Sequence, residues 1–227
     1  MSPSEKEESE AKERLERCIN SARKSWIDSC GLKGRWLDSN FDNFKRELSP
    51  KAFDIFKEFS VQNRKSILLR SDNYGVGKTH LVAALVNRLN NSVIPVFFQP
   101  DSYAIGYRRM PALFLTETNL LIRIRQTFNR QDEEEDTEED VYCDLRNTPL
   151  LIIDDVGKTK PRDYSFLQSV YFRIIDERYT DESPMILTTN LTLSELETHI
   201  GGASADRLRE MCGKNGFITI SAKSYRR

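Results

Sequence analysis

Histidine and cysteine are scarce in this chain: its 227 residues include 2 His and 4 Cys. Cys18, Cys30, Cys143 and Cys212 form no C-x-x-C pair, and neither His80 nor His199 clusters with them. Free thiols are therefore expected, not a zinc module or a disulfide framework. Long apolar runs are also missing, since none approaches the ~18 residues needed to span a bilayer, which argues against an integral membrane protein. Residues 1 to 17 hold six Glu, four Lys or Arg and one large aliphatic residue, Leu15. Such a stretch has no apolar segment for a secretory leader, and a cytoplasmic setting is expected. It cannot bury a face of its own and reads as a solvated or frayed helix.

A strong excess of one charge is absent too, with 34 Lys+Arg against 35 Asp+Glu. The balance is nevertheless segregated. Eight of the acids fall in residues 132–140 (DEEEDTEED), leaving 34 basic against 27 acidic groups elsewhere. Two readings stand for the acidic run: a solvated loop, or a screen over the basic helix before it that DNA or a partner displaces.

What is present is an alternation of strand and helix signals. Residues 18 to 59 are aromatic and mixed, with helical spacing in KAFDIFKEF, and should dock on the main domain. Strands are expected at 66–70, 112–116, 150–153 and 185–189. Helices are expected in THLVAALVNRL, NLLIRIRQTF, TEEDVYCDL and FLQSVYFRIIDERY. Buried strands alternating with helices imply an α/β fold, a parallel central sheet covered on both faces.

Between the first strand and its helix lies Asp72-Asn73-Tyr74-Gly75-Val76-Gly77-Lys78-Thr79. Glycines let backbone N–H groups turn toward phosphates, and the helix N-terminus adds partial positive charge. Lys78 is suited to the β- and γ-phosphates of ATP and the Thr79 hydroxyl to Mg²⁺. The nucleotide-binding set is thus residues 72 to 79 with His80. A P-loop has glycine at its first position, where this chain has Asp72. Asp72 is expected to point outward and stiffen the turn through a local backbone hydrogen bond.

A second station is the apolar strand Leu150–Ile153 ending in Asp154 and Asp155. Asp154 is placed to bind Mg²⁺, and Asp155, facing the other way, to orient or deprotonate the attacking water. A third strand ends at Asn190, where the side chain can hold that water or sense the γ-phosphate.

These stations in this order resemble the AAA+ ATPases, and specifically the DnaC/DnaI-type helicase loaders and the related IstB-like ATP-binding proteins. The resemblance spans about residues 36 to 227. It is carried by FDNF (41–44), YGVGKTHLVAAL (74–85), LFLTETNLL (113–121), LLIIDDVGK (150–158), IIDERY (174–179), ILTTNL (186–191), ADRL (205–208) and SYRR (224–227). It implies a three-layer α-β-α P-loop NTPase domain over 36–227, preceded by a helical, partly disordered adaptor segment over 1–35 that contacts a replicative helicase. It further implies hydrolysis of ATP to ADP and phosphate, with Asp155 at the catalytic acid position and Asn190 as sensor 1. Arg207 looks like an arginine finger reaching a neighbouring copy in a homo-oligomer. Ala203 departs from the pattern, because related loaders often carry a basic residue there.

Helicase loaders of this type also engage single-stranded DNA, which generally needs a basic groove with aromatic faces. The candidates are Tyr107, Arg108 and Arg109; then Arg123, Arg125, Phe128 and Arg130; then Lys158, Lys160, Arg162 and Tyr164. The function implied is an ATP-dependent loader acting on a replicative DNA helicase. The alternatives are an IstB-like transposition helper on duplex DNA, or a nucleotide-binding adaptor that hydrolyses little.

Overall fold

A computed structural model describes residues 3–92, 110–129 and 135–224. Tyr107, Arg108, Arg109, Arg130, Asp132 to Glu134, Arg226 and Arg227 lie outside the described residues. Five strands form one parallel sheet: β1 (Ile67–Arg70), β2 (Leu113–Thr116), β3 (Leu151–Val156), β4 (Met185–Thr189) and β5 (Phe217–Thr219), in the order β2-β3-β4-β1-β5. The four expected strands are present within a residue or two at most ends, except that β3 runs on to Val156. The fifth, only Phe217 to Thr219, is too short to announce itself by pattern.

Alternation along the strands divides the core into two layers. Ile67, Leu69, Ile152 and Ile186 face one side, with helices α2 (Pro50–Glu58) and α3 (Lys78–Ser92). Leu68, Leu151, Ile153 and Leu187 face the other, with α4 (Glu117–Gln126), α5 (Glu138–Asn147), α6 (Ser165–Thr180), α7 (Leu193–Ile200) and α8 (Gly202–Cys212). Because β1, β3 and β4 bury both faces, their apolar residues run continuously, as in parallel sheets.

The first helix, α1 (Pro3–Ser29), changes character along its length. Its described residues before Cys18 are almost all exposed, whereas Ala22, Trp26 and Cys30 are buried. A spacing of four places these three on one stripe. The chain then turns at Gly31 (φ 87), and Cys30 O accepts Phe114 N at 2.7 Å. A Cβ on Gly31 would stand 2.0 Å from Phe114 O, so only glycine permits this contact. The contact also pairs the outer side of edge strand β2. Residues 22–32 are thereby packed on the sheet core, on the N-terminal side of the expected division at 35/36.

IIDERY contains a structural anchor. Arg178 is fully buried and donates to Leu145 O (2.7 Å), Thr148 O (2.9 Å) and Pro184 O (2.5 Å). It ties the end of α5 to the start of β4. Burial alone pushes its guanidinium down to about 10, with Asp181 opposing, and it remains charged at neutral pH.

The acidic run is partly helix. Thr137 and Asp140 form a reciprocal cap at the start of α5, where carboxylates are favoured by the helix dipole. Asp136 and Asp144 contact Arg123 at 3.4 and 2.7 Å, and Glu139 pairs with Arg173. Among the described acids of the run, Asp136 and Glu139 pair with arginines and Asp140 caps the helix.

Candidate nucleotide-binding site

The C-terminal ends of β1, β3 and β4 meet at the loop 71–77 and the first turn of α3. Gly75 (φ 72) and Gly77 (φ 96) adopt left-handed conformations, which lets the loop turn back on itself before the helix. Lys78 is nearly buried despite its charge. Its Nζ donates to Asn190 Oδ1 at 3.0 Å, while Asn190 Nδ2 donates to Ser71 O at 2.6 Å and Asn73 O at 3.0 Å. Asn190 thus clamps the loop backbone with one end of its amide and the lysine with the other.

Thr79 Oγ1 donates to Asp154 Oδ2 at 2.9 Å, and Thr188 Oγ1 to Asp154 Oδ1 at 2.5 Å. Asp154 is buried, and its carboxyl is pushed up to about 6, chiefly by desolvation and then by Asp155; the two threonine hydrogen bonds oppose this. Thr188 also accepts Asp155 N at 2.9 Å. The β3–β4 register shifts between Ile153 and Val156, and Asp155 is left-handed at φ 61. The two carboxylates diverge through this irregularity, not through plain strand alternation as expected. Asp154 turns inward to Thr79, and Asp155 lines the open cavity.

That cavity, about 280 Å³, is lined by Tyr74, Gly75, Val76, Gly77, Lys78, Thr79, His80, Asp155, Lys158 and Asn190. The donor set suits a magnesium nucleotide. It offers a glycine turn at a helix N-terminus, a nearly buried ammonium, and a hydroxyl beside a carboxylate that a divalent cation would hold ionised.

Asp72 and Asn73, expected in the nucleotide set, lie off the cavity. Asp72 does point outward, but it is held by an ion pair with Arg70 and not by a backbone hydrogen bond. The backbone bond that braces the turn comes from Asn73 N to Ser71 Oγ at 3.1 Å. Asn73 Nδ2 donates to Ala222 O at 3.0 Å, tying the loop to the segment after β5.

The other wall of the cavity, Arg35, Trp36, Asp38, Ser39 and Asn43, was not foreseen. Polar side chains of α3 fasten this strap. Asn87 Nδ2 donates to Trp36 O, Leu37 O and Ser39 O at 3.0, 3.1 and 2.8 Å. His80 Nε2 lies 2.8 Å from Asn43 Oδ1 and 3.2 Å from Asn40 O, both acceptors, so it carries the proton. Burial lowers the His80 pKa and favours the neutral ring. His80 lines the cavity while its ring Nε2 serves the strap. His80 and Asn87, the polar residues that bracket the apolar run Leu81–Val86, were the available signal.

Arg207 is absent from the cavity wall. It sits on α8 against α6, with Nε 2.9 Å from Asp176 Oδ1 and its guanidinium 5.2 Å from the Phe172 ring. The expected DNA residues separate into groups. Arg123 faces the acids of α5, whereas Arg125 lies over Phe166 at 5.2 Å, and Phe128 packs edge-on to Phe166 at 5.9 Å. Phe128 is 56% exposed. Lys158, Lys160 and Tyr164 follow β3 on an exposed loop, with Tyr164 edge-on to His199 at 5.7 Å.

No protein-family model matches the chain. The replicative helicase loader DnaC of Escherichia coli (strain K12) is 25% identical over 224 residues, covering 96% of this chain and 80% of that protein. In fold, a crystal structure of the DnaC helicase loader matches with TM-score 0.62 at 20% identity, covering 83% of this chain and all of the other. The replication initiator DnaA bound to AMPPCP and single-stranded DNA matches with TM-score 0.56 at 19% identity, covering 80% of this chain and 49% of the other. Along nearly its whole length the sequence is similar to the replicative helicase loader DnaC, and the chain has the fold of the AAA+ P-loop domains.

Proposed function

We propose that the chain is an ATP-driven loader that binds Mg-ATP and single-stranded DNA and acts on a replicative DNA helicase in the cytoplasm. The observation that carries this reading is the convergence of Lys78, Thr79, Asp154, Asp155 and Asn190 at one end of the sheet, in a relative of replicative helicase loaders.

Thr79 and Asp154 would hold Mg²⁺, which supplies charge neutralisation at the β- and γ-phosphates. Lys78 and the loop N–H groups bind the triphosphate. Asn190, which holds Lys78 at 3.0 Å, sits where it responds to a γ-phosphate, since the lysine must turn from the amide toward the nucleotide. Asp155 faces the cavity and takes the proton of the attacking water. The strap 35–43 lines the cavity and receives the rest of the nucleotide. Arg207 reaches the γ-phosphate of a neighbouring copy, which requires that it leave Asp176.

The DNA surface is the exposed pair Arg125 and Phe128 beside the partly buried Phe166, continued by Lys160 and Tyr164: cations beside aromatic faces on which bases stack. The test is ATP turnover by the intact chain beside Lys78→Ala and Asp155→Ala. Turnover confined to the intact chain supports the reading; equal rates in all three leave a nucleotide-binding adaptor.

A further inference from the structure

One ion pair beside the cavity is not explained by nucleotide binding. Lys158 Nζ contacts Asp155 Oδ2, so a cation rests on a carboxylate that lines the cavity. Both residues line the nucleotide cavity, and Lys158 N donates to Asp155 O at 3.3 Å, closing a tight turn between them.

The backbone around Lys158 is fixed. Glu117 Oε2 accepts Gly157 N at 3.2 Å and Thr159 N at 3.0 Å, one on each side of the lysine. Glu117 is fully buried and is itself held at Oε1 by Tyr171 Oη at 2.8 Å and His199 Nε2 at 2.7 Å. Gly157 has φ 95, and a Cβ there would meet Leu191 side-chain carbons at 2.5 Å, so that corner has little room to rearrange. The part left free to move is the Lys158 side chain, a flexible stem that is 56% exposed. It opens toward the loop that also carries Lys160, Arg162 and Tyr164.

We propose that Lys158 couples single-stranded DNA to the nucleotide site. It holds Asp155 while the loop is unoccupied, and releases it when a DNA backbone phosphate takes the ammonium. The exchange is near balanced, because a half-exposed ion pair is worth little and a phosphate is a comparable partner. This inference rests on the ATPase and DNA reading above.

The test is steady-state turnover with Mg²⁺, with and without an oligothymidylate, in the intact chain, Lys158→Gln and Asp155→Asn, with oligonucleotide binding followed by fluorescence anisotropy. Lys158→Gln is expected to raise DNA-free turnover about 2- to 5-fold. The oligothymidylate should stimulate the intact chain by a similar factor and leave Lys158→Gln unchanged. Turnover of Lys158→Gln equal to or below that of the intact chain overturns the inference alone, as does DNA that binds the intact chain without changing its rate. An intact chain no faster than Asp155→Asn removes the ATPase reading and the inference with it, and an oligothymidylate that fails to bind removes the DNA reading and the inference with it.

Discussion

Thr79 Oγ1 and Asp154 Oδ2 stand 2.9 Å apart, joining the first turn of α3 to strand β3. Asp154 is buried with its carboxyl pushed up to about 6, against 3.8 for an ordinary aspartate. Because the folded value is the higher one, the native chain binds the proton more readily than the unfolded chain. Without metal, this group penalises the fold above about pH 6, and the penalty fades as pH falls toward 4. Asp154→Asn should therefore raise the stability of the metal-free chain at pH 8, by up to roughly 3 kcal/mol, while abolishing Mg-dependent turnover. Denaturant melts at pH 8 and pH 5 check this: the gain should shrink at the lower pH. In the intact chain, Mg-dependent ATP affinity should fall as pH drops through about 6.

Lys78→Ala should weaken ATP binding about 10- to 100-fold, the loss expected for one charged hydrogen-bonding partner. Asn190 keeps its bonds to Ser71 O and Asn73 O, so the loop should remain folded. Titration with a fluorescent ATP analogue measures the affinity, and an unchanged melting temperature shows that the loss is local.

Arg207→Ala should bind ATP normally yet lose turnover by about 10³-fold, the scale of an arginine finger. Its exposed pair with Asp176 predicts a stability change below about 1 kcal/mol. ATP affinity, turnover and a melt on one preparation check the three parts. Full turnover by this variant would refute the assignment.

Much of this site was legible in the sequence. Gly77-Lys78-Thr79 and Asp154-Asp155 have a fixed chemistry and follow apolar strands, so their meeting at one end of a parallel sheet could be anticipated. Asn190 ends a buried strand and could be placed the same way. The strap 35–43 could not, because its attachment depends on Asn87 and His80 reaching across some forty residues or more of chain. Thr188 looked like an ordinary strand residue, yet it orders both aspartates. Asp72 was recognised as a departure, but its partner Arg70 lies two residues away in a strand, where pairing follows from side-chain direction and not from turn chemistry.

Single-strand affinity should fall by roughly 1–3 kcal/mol when Phe128 is replaced by Ala, since its exposed ring is free to stack. Arg123→Ala should change it little, because Arg123 already serves Asp136 and Asp144. The paired change Asp136→Asn and Asp144→Asn should raise affinity by freeing that arginine, an effect that weakens as salt increases. Anisotropy titrations across salt concentrations check all three.

Arg178→Ala should destabilise the fold by about 3 kcal/mol or more, since it leaves several buried carbonyls without a donor and opens a cavity. Chemical denaturation measures the loss. Arg178→Lys should recover only part of it, because a single ammonium cannot span carbonyls from two segments.

An ATP-driven loader should change its hold on a replicative helicase with the nucleotide at this site. The most direct test is the amount of replicative helicase captured by the intact chain with ATP, without nucleotide, and by Lys78→Ala with ATP. Capture by the intact chain should change between ATP and no nucleotide, with no such change in Lys78→Ala. Absence of capture under every condition, or capture indifferent to both ATP and Lys78, would contradict the loader reading.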